Sequence, residues 1–346
     1  MLKRAHWPIL MLTLALAGCG GGGGGGGGGG TPAPTPGTGG TSNSNVTTIA
    51  PGAGTASSTS TSASSGSTSS GSTTATGQPL NVSGLSGYPQ GIAVSGSTLY
   101  VANTNGNTIS EISLSSPSYT FTTIGLDYTT NRVAPLTQPT GLAISLDGKT
   151  LYAASWQGEL YAIDLSNSPN PAVVTLLATG LDNPDGIALS TNGYSIFVAS
   201  HGLGQIFQIS TSTSSGSAVG STIATYTYPG SSVYPWGVYA DANTVYATNS
   251  NGTVSAWPII TSGTSASIST LSAAFTNPGG ITGANGYLYV ADYQAKTITK
   301  INAATGGMVG TPANVSPYQP FLLAHDNTYL YFTDGNSGSV NAIPLP

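Results

Sequence analysis

The sequence predicts an all-β fold, a six-bladed β-propeller of four-stranded antiparallel sheets, and three observations predict it. One short unit recurs six times. The copies read YPQGIAVSGSTLYVAN from Tyr88, QPTGLAISLDGKTLYAAS from Gln138 and NPDGIALSTNGYSIFVAS from Asn183. YPWGVYADANTVYATN from Tyr234, NPGGITGANGYLYVAD from Asn277 and a degenerate QPFLLAHDNTYLYFTD from Gln319 complete the set. The anchoring prolines (Pro89, Pro139, Pro184, Pro235, Pro278 and Pro320) recur every 42–51 residues or so, a period at which each unit is one small sheet. After each copy come two apolar anchors three residues apart, a constant third element.

Each unit divides into strands on physical grounds. The segments at 92–94, 142–144, 187–189 and 238–240 follow a Pro-x-Gly turn and are short and rich in small residues, as suits an innermost strand at a crowded axis. Asp147-Gly148, Asn192-Gly193 and Asn285-Gly286 then supply hairpin pairs that tolerate positive φ. The second strand (99–102, 151–154, 196–199, 245–248, 288–291 and 330–333) is almost continuously apolar, which predicts burial on both faces. The third carries Ile109/Ile112, Leu160/Ile163, Ile206/Ile209, Val254/Trp257, Ile298/Ile301 and Val340/Ile343. On a strand these pairs point to opposite faces, one toward each neighbouring blade. The outer strand is weaker in pattern, with 119–124, 173–178 and 222–228 the best candidates. The last unit ends after its third strand, while residues 79–85 resemble a strand with no partner. They are expected to complete the last sheet and close the ring, which removes an edge.

The N-terminal portion is organised differently. Lys3 and Arg4 precede a short apolar run over 9–17, and Leu16-Ala17-Gly18-Cys19 resembles the lipobox of bacterial lipoproteins. The resemblance implies removal of residues 1–18 and diacylation of Cys19, with anchoring by two or more acyl chains. Gly20 at the following position points to the outer membrane. Residues 19–77 are Gly, Ser, Thr and Pro-rich and uncharged; they are expected to be a disordered tether on the order of 40 Å across. The propeller is expected over 78–346.

Charge excludes one class of partner. Loss of Lys3 and Arg4 leaves four basic residues against eleven acidic, a formal charge of −7. With no basic cluster, nucleic acid is excluded. A nearly uncharged surface suits neutral partners: an envelope protein, a peptide or a glycan. Cys19 is the single cysteine, so no intrachain disulfide forms.

The Pro-x-Gly-Ile-Ala-Val pattern followed by Leu-Tyr-Val-Ala-Asp, clearest at 89–103, 184–200 and 278–292, resembles the NHL-repeat propellers and their gluconolactonase-like and streptogramin-lyase-like relatives. By the geometry the resemblance implies, the polar residues ending each second strand ring a central opening. Asn249, Asp292, Asp334 and Asn103 then succeed one another, an oxygen set able to hold a hard cation such as calcium. The same residues can instead cap their own turns. His201 is the histidine placed to serve as a general base beside such a metal in a lyase-like site. Asp185 is the acidic member of the Pro-x-Gly turns. Tyr88, Trp156, Tyr234, Trp236, Tyr293, Tyr318 and Phe321 are expected to form an uncharged aromatic face for a glycan or peptide. A binding or scaffold module is the first functional expectation, and a metal-dependent lactonase or lyase the alternative.

Overall fold

The computed structural model describes residues 80–346 except 86, 116–118, 167–170, 230–231, 261–266 and 273–274. The expected signal peptide, Cys19 and the linker to residue 77 lie outside the described residues.

Six sheets follow one another along the chain, each running outward from its first strand. Blade one comprises Pro89–Ser95, Thr98–Asn103, Thr108–Ser113 and Phe121–Thr123. Blade two comprises Pro139–Ile144, Thr150–Ser155, Glu159–Asp164 and Ala172–Ala178. Blade three has Pro184–Leu189, Ser195–Ser200, Gln205–Ser210 and Thr222–Thr227, and blade four Pro235–Ala240, Thr244–Asn249, Val254–Pro258 and Ser269–Ser272. Blade five has Pro278–Ala284, Tyr287–Asp292, Thr297–Asn302 and Ala313–Asn314. Blade six has Leu323–His325, Tyr329–Asp334 and Ser339–Pro344, and its outer strand is Asn81–Val82. The N-terminal strand therefore closes the ring as expected, with Val82 opposite Val340. Blade two carries one strand more than expected. The long connection from blade one lays Leu126–Asp127 parallel to the outer strand, held there by Asn131, whose side-chain amide donates to the Val174 carbonyl at 3.1 Å.

The Pro-x-Gly element is not the turn the sequence suggested. Pro89 pairs with Asn103 but Ile92 with Val101, so three steps on the innermost strand span two on its neighbour. The same β-bulge recurs in blades two to five and bends the strand as it reaches the axis. The glycine answers to the neighbouring blade. A Cβ on Gly91 would stand 1.9 Å from the Thr140 carbonyl oxygen, and one on Gly141 would stand 2.2 Å from that of Asp185. In blade six Leu322 takes the glycine's place and the innermost strand shortens to three residues.

The core is six apolar layers, each between two adjacent blades. Leu99 and Val101 face blade six, whereas Tyr100 and Ala102 face blade two. The third-strand pairs divide as the sequence predicts: Ile112 and Ile109 enter different layers, as do Ile209 and Ile206, and Ile301 and Ile298. Among the described residues no helix is long and apolar enough to cross a membrane.

Candidate binding face at the propeller axis

The polar residues ending the second strands sit at one end of the ring, and Asn103, Asn249, Asp292 and Asp334 all make hydrogen bonds within their own blades. Asp292 accepts backbone N–H groups from Thr276 at 2.7 Å on Oδ2, and from Asn277 and Ala295 on Oδ1. Asp334 Oδ1 accepts from Asn336 and Ser337. The side-chain amide of Asn103 donates to Thr108 and Ser110, and that of Asn249 to Thr253 and Ser255. The two carboxylates have turn-capping roles, whereas Asn249 Oδ1 accepts from the Tyr228 hydroxyl and Asn103 Oδ1 is buried with no hydrogen-bond partner among the described residues. Among the described residues no group of three or more His, Cys, Asp or Glu stands close enough to hold a metal ion. Of the four proposed cation ligands, Asp292 and Asp334 thus direct carboxylate oxygens to backbone amides of their own turns.

The axis is instead occupied by the middle residues of the Pro-x-Gly bulges: Gln90, Thr140, Asp185, Trp236, Gly279 and Phe321. Gln90, Asp185, Trp236 and Phe321 are all buried. The Gln90 side-chain amide donates to Asp185 Oδ1 at 2.7 Å, reaching past blade two from blade one to blade three. Thr104 in turn donates to Gln90 Oε1 at 2.8 Å and lies 2.7 Å from the Pro139 carbonyl. Burial drives the Asp185 carboxyl well above the usual carboxylate range, a shift the Gln90 bond only partly offsets. Its Oδ2 is buried with no hydrogen-bond partner among the described residues.

Hydroxyl groups stitch successive blades together beneath this face. Thr140 donates to the Pro184 carbonyl and Thr333 to the Gln90 carbonyl, each at 2.7 Å, and Thr248 donates to the Gly279 carbonyl. His201 belongs to this series. It occupies in blade three the place of Thr104 in blade one, and it hydrogen-bonds the Pro235 carbonyl of the next blade. Its ring stacks on Trp236 with centroids 3.6 Å apart and tilts against Tyr234 at 5.2 Å. Burial lowers its pKa to about 4, against the opposing pull of the Pro235 carbonyl. His201 is thus a neutral ring packed between blades three and four.

The aromatic candidates separate into three groups. Tyr318 leaves the site altogether: it packs edge-on against Phe332 in the layer between blades five and six. Trp236 and Phe321 are buried plugs of the axis, because the bulge aims its middle side chain inward. Trp236 is 3 % exposed under His201, so it offers no platform. Tyr234, at 40 % exposure, does. Tyr88, Trp156 and Tyr293 are half-buried. Tyr88 hydrogen-bonds Tyr293, and burial raises its phenol pKa, with Tyr293, Asp334 and Asp185 adding to the shift. Asn336 donates to the Tyr293 hydroxyl at 2.8 Å and to Gln319 Oε1, and Gln157 donates to Gln138 Oε1 at 2.7 Å. Sequence reasoning missed Gln90 and Thr104. The signal was present in the aligned copies, where the middle residue of Pro-x-Gly varies freely inside an otherwise constant frame.

Comparison with known proteins agrees with this architecture. Residues 120–230 match the family model described as SMP-30/Gluconolactonase/LRE-like region, and residues 86–123 match the LVIVD repeat. A search of curated proteins by sequence found no match. Among solved structures, a catalytically inactive virginiamycin B lyase from Staphylococcus aureus with quinupristin is 17% identical over 78% of this chain and 99% of that one, with a TM-score of 0.52. The nidogen/laminin complex gives 20% identity over 72% of this chain and 90% of that chain, TM-score 0.55. Kuenenia stuttgartiensis hydrazine synthase gives 16%, 74%, 83% and 0.54 for the same quantities. At these identities the likeness is one of fold. The chain is a six-bladed β-propeller, and its residues 120–230 are similar to the SMP-30/gluconolactonase/LRE-like region.

Proposed function

We propose that this propeller is a binding module, lipid-anchored to the outer membrane through Cys19, that recognises a neutral polypeptide or glycan at its axial face. One observation carries the reading. Uncharged aromatic and amide side chains cluster at that face (Tyr88, Trp156, Tyr234, Tyr293, Gln138 and Asn336), while Asp185 is buried and Asp292 and Asp334 cap turns. Such a surface offers rigid contact area and hydrogen bonds without a charge to match. A likeness to the propeller of a nidogen/laminin complex supports recognition of a protein. The lactonase or lyase alternative has the likeness over residues 120–230 in its favour, but Asp292 and Asp334 already spend carboxylate oxygens on turn amides. Peptide and glycan arrays probed with the full chain and with Tyr234→Ala test the reading. Binding lost in the variant supports it; no retained ligand on either array counts against it. Palmitate labelling lost in Cys19→Ser tests the anchor.

A further inference from the structure

A cleft of about 260 Å³ opens at the opposite end of the ring, at the seam where blade six meets blade one. Asp326, Tyr329 and Tyr331 line it from blade six, Leu114 and Tyr119 from blade one, and Leu80 from the closing segment. Its size falls near the lower end of small-molecule sites, about 300 Å³.

Among the described residues lining the cleft, Asp326 is the single charged one. Its Oδ1 accepts the backbone N–H groups of Thr328 and Tyr329, and its Oδ2 the Tyr331 hydroxyl, all at 2.7 Å. Burial works to raise its pKa, but the Tyr331 hydroxyl and the two amides outweigh it, and the carboxyl lies below its usual range. The adjacent His325 adds to this lowering, but burial lowers its own pKa, and its Nδ1 lies 3.0 Å from the Thr282 hydroxyl, facing blade five. The rings of Tyr329 and Tyr331 stand 6.2 Å apart at 47°, and Tyr119 lies within electrostatic reach of both. Blade four repeats the turn, with Asp241 accepting from the Tyr246 hydroxyl at 2.9 Å, so that bond alone is part of the repeat. The third aromatic wall is not, since Thr244 stands where blade six has Tyr329.

We propose that this cleft is a second binding site, for a small organic cation whose ammonium group sits among Tyr119, Tyr329 and Tyr331 and against the Asp326 carboxylate. Ring faces attract a cation within about 6 Å, and the attraction strengthens where water is excluded. A carboxylate with no basic neighbour in the cleft adds to it. An anion would be repelled by the carboxylate, and a neutral molecule would gain no charge attraction from it.

The test is calorimetric titration of the full chain with choline, with its neutral isostere 3,3-dimethylbutan-1-ol, and with glucose. Choline is expected to bind, and the alcohol to bind at least about tenfold more weakly. Tyr329→Leu and Asp326→Asn should each weaken choline by about tenfold or more, while Tyr234→Ala at the far face leaves it unchanged. A thermal melt of each variant shows whether it is folded; if Asp326→Asn is not, Tyr329→Leu decides. No choline binding at millimolar concentration overturns the proposal. So does equal binding of the alcohol, preferential binding of glucose, or undiminished binding in folded Tyr329→Leu.

Discussion

The side-chain amide of Gln90 donates to the carboxyl of Asp185 across 2.7 Å, joining the first and third blades over the head of the second. The carboxyl is fully buried and one of its oxygens has no partner among the described residues, so the fold favours its protonated form. Its folded pKa is raised by burial. The stability it contributes is therefore full below the unfolded value, about 3.9, and is lost as pH rises toward the folded one. Asp185→Asn keeps the acceptor for Gln90 and cannot ionise. Its melting temperature should exceed that of the parent by a margin that widens from about pH 5 to pH 9. Parallel melting curves across that range would show that Asp185 titrates as an ordinary carboxyl.

His201 predicts the opposite slope. Burial holds its pKa at about 4, below the ordinary imidazole value of 6.5, so the folded state favours neutral imidazole. That stability is present above about pH 6.5 and is lost as pH falls toward about 4. Replacement by Gln retains a donor for the Pro235 carbonyl and removes the titration. His201→Gln should flatten the acid limb of the stability profile while losing some stability at about pH 8, where the Trp236 stack is gone. An unchanged acid limb would place the titration elsewhere.

The bulge glycines give a steric prediction. Gly141→Ala forces a Cβ to within 2.2 Å of a carbonyl oxygen in the next blade, and backbone cannot give way as a side chain can. A cost of about 1–3 kcal/mol follows, read as a drop of several degrees in melting temperature. Gly125→Ala, whose nearest neighbour would be Pro171 Cα at 3.7 Å, should be nearly neutral. Equal effects from the two would remove close blade approach as the reason for the glycine.

What is legible in the sequence follows from where periodicity is forced. Residues in the six apolar layers answer to two neighbouring sheets, so Leu99 and Val101, or Ile109 and Ile112, repeat in every copy and reveal their faces. The bulge reads as a turn because proline and glycine punctuate both. Only the pairing of Pro89 with Asn103 and Ile92 with Val101 distinguishes them. At the axis the difficulty is deeper. Trp236 and Phe321 have the composition of a binding face, yet position alone decides whether an aromatic ring lies over a protein or plugs it. Asp292 and Asp334 likewise carry ligand chemistry, but their oxygens take the N–H groups of their own turns, an outcome set by loop geometry.

Ring closure supplies the last prediction. The closing segment pairs Val82 with Val340, the Ala342 amide donates to the Leu80 carbonyl at 3.1 Å, and the Leu85 amide donates to the Gly338 carbonyl at 3.2 Å. Leu80, Val82 and Leu85 are all buried in the layer between blades six and one. Each buried side chain of this kind contributes about 1.5–3 kcal/mol, and their loss also bares the edge of Ser339–Pro344 to pairing with another chain. Deletion of residues 80–85 should therefore lower the melting temperature by about 10 °C or more and promote self-association. Val82→Asp should do much the same without shortening the chain, because it sets an unpaired carboxylate in an apolar layer. Light scattering alongside thermal melts separates the two effects. A truncated protein that melts with the parent and stays monomeric would mean that blade six is stable with three strands.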